Sequence, residues 1–235
     1  HQTEARIQVA ADAAMTQILN DTGWLKELDS LASKVEVELK PVTRYYWTVS
    51  VRSDASVKNE AGEVIPEESV SLVQWFETGK REQPWTGKWI TCNNKEPRHP
   101  IFEKQIHLAK EVGTDGTEKI KEVEKARLYI CGLGLYEAYY NGKRIGDEYL
   151  TPYSNDYTQW TQYQTFDVTE LVKDSTASST ETATATAAPI TSLSILLGNG
   201  WYKGRFGFSE EGKTGYWGKE WKLIAELQLF YTDGT

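Results

Sequence analysis

Two Asn-Gly dipeptides set among aromatic residues constrain this chain more than any other feature. One lies in LYICGLGLYEAYYNGKRIGDEYLTP (residues 128–152) and the other in LGNGWYKG (residues 197–204). A type I′ hairpin turn needs positive φ at both central residues, which Asn and Gly tolerate best. Asn141-Gly142 therefore predicts a tight reversal between two strands, and Asn199-Gly200 reads as its echo. The flanking rings offer flat apolar faces beside polar amides, a combination suited to sugar rings.

Alternation carries the β reading along the chain. Ala5, Ile7 and Val9 against Arg6 and Gln8 predict a half-buried strand, followed by a turn or short helix over residues 10–19. Val35, Val37 and Leu39 alternate with Glu36, Glu38 and Lys40, which predicts an edge strand stopped by Pro41. Tyr45, Trp47, Val49 and Val51 alternate with Tyr46, Thr48, Ser50 and Arg52, placing Tyr45 and Trp47 in a core. NEAGEVIPEE reads as an acidic loop and VSLVQWFETG as a closing strand. GKREQP (residues 79–84) is a polar connector. Beyond it, IFEKQIHLA, SLSILLG and WKLIAELQLFYTDG predict strands, and EVGTDGTEKIKEVEKA a charged hairpin or loop with room for a short helix over 118–126. TFDVTELV reads as a turn or helix start, with Asp167 or Thr169 as the cap. KDSTASSTETATATAAP (residues 173–189) is low in complexity and reads as a surface insertion with nothing to pack. Many short strands with turns between them predict an all-β chain of two β-sandwich domains, residues 1–82 and 83–235.

Nine Trp, 13 Tyr and 6 Phe against a single Met fit both pleated surfaces and carbohydrate contact. A net charge of −8 argues against nucleic acid, whose phosphates need a basic face. No apolar run approaches the roughly 20 residues of a membrane span. HQTEARIQVA has no signal-peptide pattern, which leaves the compartment open. Cys92 and Cys131 are too few for a disulfide framework and read as small buried or half-buried thiols, with a bridge between them left to geometry. His99 and His107 lie off the helical spacing of a zinc site.

Glycoside hydrolysis needs two carboxyl groups at defined separation, and Glu137, Asp147, Glu148, Asp156 and Asp167 show no pattern that singles out a pair. The candidate sugar-contacting residues are Tyr139, Tyr140 and Asn141 at one turn and Asn199, Trp201 and Tyr202 at the other, rimming one end of a sandwich. The simpler alternative gives the Asn residues to the turns alone and the rings to plugging the sandwich. Phe206, Phe208, Tyr216, Trp217 and Trp221 form a candidate docking patch.

GLGLYEAYYNGKRIGDEYLTP, YQTFDVTELV and LGNGWYKG, in that order, resemble the N-terminal region of bacterial α-L-rhamnosidases. LKPVTRYYWTVSVRSD followed by WFETG resembles the fibronectin type III-like module at the front of these enzymes. WTGKWI resembles the opening of the jelly-roll-like domain that follows. Tyr153 and Ser154 stand where the family carries Gly-Trp, so the loop after Leu150 departs from the pattern. The resemblance implies a glycosidase that hydrolyses terminal α-L-rhamnosides with inversion, using carboxylates on a C-terminal (α/α)6 barrel. Related enzymes continue past the final turn into further strands. On that resemblance the chain is a noncatalytic N-terminal fragment that serves as scaffold and carbohydrate-binding module. Its implied partners are rhamnose-containing glycans, the catalytic domain of the parent chain, and a second copy through exposed sheet edges. Some domains of this kind hold L-rhamnose through Ca²⁺, and Asn141 and Asn199 are the matching ligand positions, although Tyr140 is not the acid expected before the first. The rival reading is a tandem β-sandwich adhesion module with no enzyme attached.

Overall fold

A computed structural model describes residues 1–29, 31–93, 99–180, 191–206 and 213–235. The chain divides into two compact units, His1–Pro84 and Trp85–Thr235, and it is all-β with antiparallel sheets.

In the first unit β1 (Gln2–Ala10), β2 (Ile18–Asp21), β3 (Arg44–Lys58), β4 (Val64–Val70) and β5 (Gln74–Glu77) form one sheet in the order β2-β1-β3-β4, with β5 also on β3. The 15 residues of β3 accommodate two partners in succession. Arg44 to Trp47 pair with β5, and Ser50 to Lys58 pair with β4. Ala5, Val9, Ala10, Val42 and Tyr45 are buried, and the Tyr45 ring stacks on Phe76 at 5.4 Å. Trp47 is only half-buried, because the buried positions of β3 change parity from Tyr45 to Thr48 and Ser50. Two other expectations change here. Residues 35–40 form no strand despite their alternation; the Glu36 carbonyl accepts from the Asn20 side chain at 3.0 Å instead of joining a ladder. NEAGEVIPEE is not a loop but the turn at Asn59–Gly62 plus the start of β4. Pro66 is tolerated there because β4 is an edge strand, where a missing donor costs no ladder bond.

The second unit contains β6 (Ile101–Ile106), β7 (Lys110–Val112), β8 (Glu118–Ile120), β9 (Val123–Gly132), β10 (Leu135–Tyr140), β11 (Lys143–Ile145) and β12 (Gln164–Asp167). It continues with helix α1 (Thr169–Thr180), β13 (Thr191–Gly198), helix α2 (Gly200–Lys203), β14 (Arg205–Phe206), β15 (Lys213–Thr214) and β16 (Leu223–Tyr231). One sheet runs β11-β10-β13-β6 and another β12-β9-β16. Their inner faces share a core. Tyr136, Ala138 and Tyr140 on β10 and Leu193, Ile195 and Leu197 on β13 meet Leu128 and Ile130 on β9 and Leu223 on β16. The period-2 pleat puts every second residue of β10 and β13 inside. The Tyr136 hydroxyl donates to the Ile130 carbonyl at 3.2 Å, which links the two sheets.

The middle strand β9 is buried continuously from Ala126 to Gly132, on its outer face as well as its inner one. The opening WTGKWI segment supplies part of that cover. Trp85 packs edge-on against Tyr129 of β9 and against Tyr163, with centroids at 6.4 and 5.7 Å. The buried Glu226 of β16 anchors the segment: one carboxylate oxygen accepts from the Thr86 amide at 2.7 Å and the Thr86 hydroxyl at 3.0 Å, while Gln228 donates to the other at 2.6 Å.

Helix α1 starts where predicted. Asp167 Oδ1 accepts from the Thr169 amide and hydroxyl and pairs with buried Arg127 at 2.7 Å, and Val168 and Val172 enter the core. The helix runs on through residues 173–180, so the first part of the Ser/Thr/Ala stretch is helical, and residues 181–190 lie outside the described residues. The charged hairpin is β7-β8, and residues 123–126 begin β9 rather than ending a helix. Cys92 and Cys131 are free thiols, and burial pushes the Cys131 thiol pKa up.

Two backbone segments cross beside the core with no room for a side chain. A Cβ on Gly200 would lie 2.5 Å from the Leu135 amide nitrogen, and one on Gly134 would lie 2.1 Å from the Gly198 carbonyl oxygen. At the Asn141-Gly142 turn a Cβ on Gly142 meets only open space. Gly200→Ala is accordingly expected to cost about 3 kcal/mol through overpacking, and Gly142→Ala about 1 kcal/mol for its φ of +78° alone. Urea melts of the two variants compare them, and equal losses would contradict the crossing. Glu226→Ala removes the carboxylate that accepts from the Thr86 amide and hydroxyl and is expected to cost about 2 kcal/mol in the same assay; a loss below about 0.5 kcal/mol would mean that water replaces the carboxylate.

Candidate functional site

The first Asn-Gly site is a two-residue hairpin. Asn141 and Gly142 have φ of +47° and +78°, and Tyr140 pairs with Lys143 across the turn. Asn141 also serves the neighbouring strand: its amide donates to the Ser192 carbonyl at 2.9 Å, and its Oδ1 accepts from the Ser192 amide at 2.8 Å. The pleat separates the two tyrosines. Tyr140 points inward and is 2% exposed, so it is a core residue; Tyr139 points outward and donates to Glu137 Oε2 at 2.6 Å. That bond to a carboxylate raises the Tyr139 pKa, because ionising the phenol would place two negative charges together.

The second site is not a hairpin. Asn199 sits at the N-terminal end of α2, with helical φ and ψ, and its side chain makes no cap bond. The tertiary crossing at Gly200 is what bends the chain there. Tyr202 is buried edge-on against Tyr157 at 5.1 Å, whereas Trp201 remains 43% exposed. Of the six candidate residues, Asn141, Asn199 and Trp201 are exposed, Tyr139 is half-buried, and Tyr140 and Tyr202 belong to the interior.

Strand register sets the two sites apart. β10 and β13 run antiparallel, with Tyr140 opposite Leu193 and Leu135 opposite Gly198. Asn141 therefore lies at one end of the pair and Asn199 at the other, roughly 20 Å away at 3.3–3.4 Å per residue. The expectation that both turns rim one end of the sandwich is corrected by this register, and one Ca²⁺ ion cannot be held by both asparagines. Among the described residues no group of three or more His, Cys, Asp or Glu gathers as a metal site. The docking patch also changes. Trp221 is 4% exposed, beneath His99 and with Lys203 Nζ 3.8 Å from its ring centroid. Trp217 is half-buried, Tyr216 is exposed, and Phe208 lies outside the described residues.

A site with no sequence motif lies between the loop after β11 and strand β12. A cleft of about 320 Å³ is lined by Asp147, Glu148, Thr151, Tyr153, Gln164 and Phe166, with neighbouring residues of the same two segments. The loop is held in shape from within. The Arg144 guanidinium donates to the carbonyls of Gly146 (3.1 Å) and Glu148 and lies 4.2 Å from the centre of the Tyr149 ring. Gln164 Nε2 donates to Glu148 Oε2 at 2.9 Å, which ties the loop to β12. Gly146 passes close over Phe166, where a Cβ would come within 2.9 Å of the ring. Tyr149 and Leu150, 71% and 76% exposed, stand out from this loop, and Leu150 has a φ of +57°. The only sequence signal here is the departure from the family pattern at Tyr153.

Residues 121–235 match the α-L-rhamnosidase N-terminal domain. The chain is 31% identical over 216 residues to an α-L-rhamnosidase of Formosa agariphila, an alignment covering 84% of this chain and 20% of that protein. It is 39% identical over 115 residues to an α-L-rhamnosidase of Streptomyces avermitilis, covering 49% of this chain and 10% of that protein. Its fold matches the α-L-rhamnosidase from Dictyoglumus thermophilum with a TM-score of 0.64 at 25% identity, over 100% of this chain and 24% of that one. It also matches the Streptomyces avermitilis α-L-rhamnosidase complexed with L-rhamnose, with a TM-score of 0.68 at 20% identity, over 100% of this chain and 36% of that one. The chain thus spans well under half the length of each of these proteins. Its order of motifs, its paired sheets and these matches agree: this chain belongs to the N-terminal region of the α-L-rhamnosidases, and residues 121–235 match the family's N-terminal domain.

Proposed function

We propose that this chain is the noncatalytic N-terminal part of an α-L-rhamnosidase, supporting a catalytic domain and contacting carbohydrate at its own surface. The parent activity on this reading is hydrolysis of terminal α-L-rhamnosides, with its carboxylates on a helical barrel that these residues do not form.

Sugar contact rests on one observation. Trp201 is a large ring left 43% exposed beside the exposed amide of Asn199, while its neighbour Tyr202 is buried. An open indole next to polar groups is the arrangement that packs on a sugar's C–H face. The Streptomyces avermitilis enzyme was solved with L-rhamnose, which makes that sugar the first probe. Asn141 and Tyr139 at the opposite end are the second candidate contact.

The 235-residue chain is expected to leave p-nitrophenyl α-L-rhamnopyranoside intact, and turnover lost on substituting Asp147 or Glu148 would overturn the noncatalytic reading. Titration with L-rhamnose, followed by Trp fluorescence, is expected to saturate, and Trp201→Ala is expected to weaken binding about tenfold without a change in melting temperature. Unfolding of that variant would show Trp201 to be structural.

A further inference from the structure

We infer that the cleft between residues 146–153 and 162–166 is a separate binding site for a neutral pyranose. None of the residues 199–202 lines it. Its volume of about 320 Å³ falls at the small end of ligand pockets, the size range of a single sugar rather than an extended chain. Two carboxylates, two glutamine amides and threonine hydroxyls face the half-buried Phe166 ring and the exposed Tyr153. Polar groups that both donate and accept, set around a ring face, match the alternating hydroxyl and C–H surfaces of a pyranose.

Charge narrows the ligand class. The lining holds Asp147 and Glu148 and no basic side chain. Arg144 of β11, which does not line the cleft, aims its guanidinium at the Gly146 and Glu148 carbonyls and the Tyr149 ring. A uronate or phosphate entering here would meet the Asp147 and Glu148 carboxylates with no basic side chain in the lining. Gln164 donates to Glu148 through Nε2, which fixes its amide in the wall of the cleft. The site is also preformed, since the Arg144 and Gln164 bonds hold the loop before any ligand arrives.

The test is amide shift perturbation of the 235-residue chain carrying Trp201→Ala, in EDTA, with methyl α-L-rhamnopyranoside and with D-glucuronate. The neutral glycoside is expected to give saturable shifts confined to residues 146–153 and 162–166, and glucuronate none. Adding Gln164→Ala is expected to weaken binding about tenfold, with Glu148→Gln as the isosteric second variant should the first fail to fold. Saturation in the wild-type chain that vanishes with Trp201→Ala alone would overturn the cleft and leave the Trp201 surface standing. Saturation unmoved by either cleft variant, or equal binding of glucuronate, would also overturn it. Binding that requires Ca²⁺ in place of EDTA would assign the carboxylates to a cation and overturn direct sugar contact. The absence of saturable shifts in the wild-type chain would overturn this site and the Trp201 surface together.

Discussion

The second unit depends on covering β9 from both sides. A strand buried from Ala126 to Gly132 has no solvent face, so each of its neighbours must bring apolar or fully paired surface to it. On the inner side that requirement is met by β10, β13 and α1, with Leu128 and Ile130 packed among Tyr136, Leu193 and Val172. On the outer side it is met by Trp85 over Tyr129, and the Trp85 segment stays in place because the buried Glu226 carboxylate accepts from the Thr86 amide. Burial of one strand thus fixes where the unit must begin in sequence and which strand carries its buried acid.

How much of this was legible in the sequence varied with how local the cause was. The alternation in LYEAYY and TSLSILLG sets burial directly, since the pleat alone decides which residues face the core. Asn141-Gly142 became the hairpin its dipeptide predicts, because the turn needs nothing but two positive φ values. Asn199-Gly200 is the same dipeptide and became a helix start, because the backbone of Leu135 passes within reach of Gly200, a contact 65 residues back in the chain that local sequence does not display. Residues 35–40 had the alternation but found no ladder partner, and a strand without a partner has no hydrogen bonds to keep it extended. The low-complexity stretch had the composition of an insertion, yet α1 was already started by Asp167 and anchored by Val172, and helix once nucleated propagates through residues of modest propensity.

The candidate site was less legible than the fold for the same reason. Tyr139 and Tyr140 are adjacent and chemically alike, and parity on β10 sends one to the surface and the other to the core. The two asparagines share a motif, and register on β13 sends them to opposite ends of one strand pair. Trp221 looked like surface from its aromatic company, and it lies beneath His99 and Lys203. Apart from the departure at Tyr153 the cleft gave no signal, because its lining comes from two segments whose polar residues form no spaced pattern and acquire meaning only when the Glu148–Gln164 bond brings them together.

That cleft also explains how an exposed loop keeps an unfavourable shape. Leu150 is a γ-branched, largely exposed residue with φ of +57°, a conformation that costs an L-residue about 1 kcal/mol or more, and its burial returns little in compensation. The offset lies around it. Arg144 binds two loop carbonyls and packs on Tyr149, Glu148 is tied to β12, and Gly146 lets the backbone settle against Phe166. A strained crest held by a charged clamp and tied to β12 keeps the cleft open without a ligand, so its geometry depends on residues 146–153 together with that one strand. Tyr153, where the sequence departs from the pattern it otherwise resembles, stands at the end of that loop and lines the cleft, so the departure falls on the segment that shapes the site.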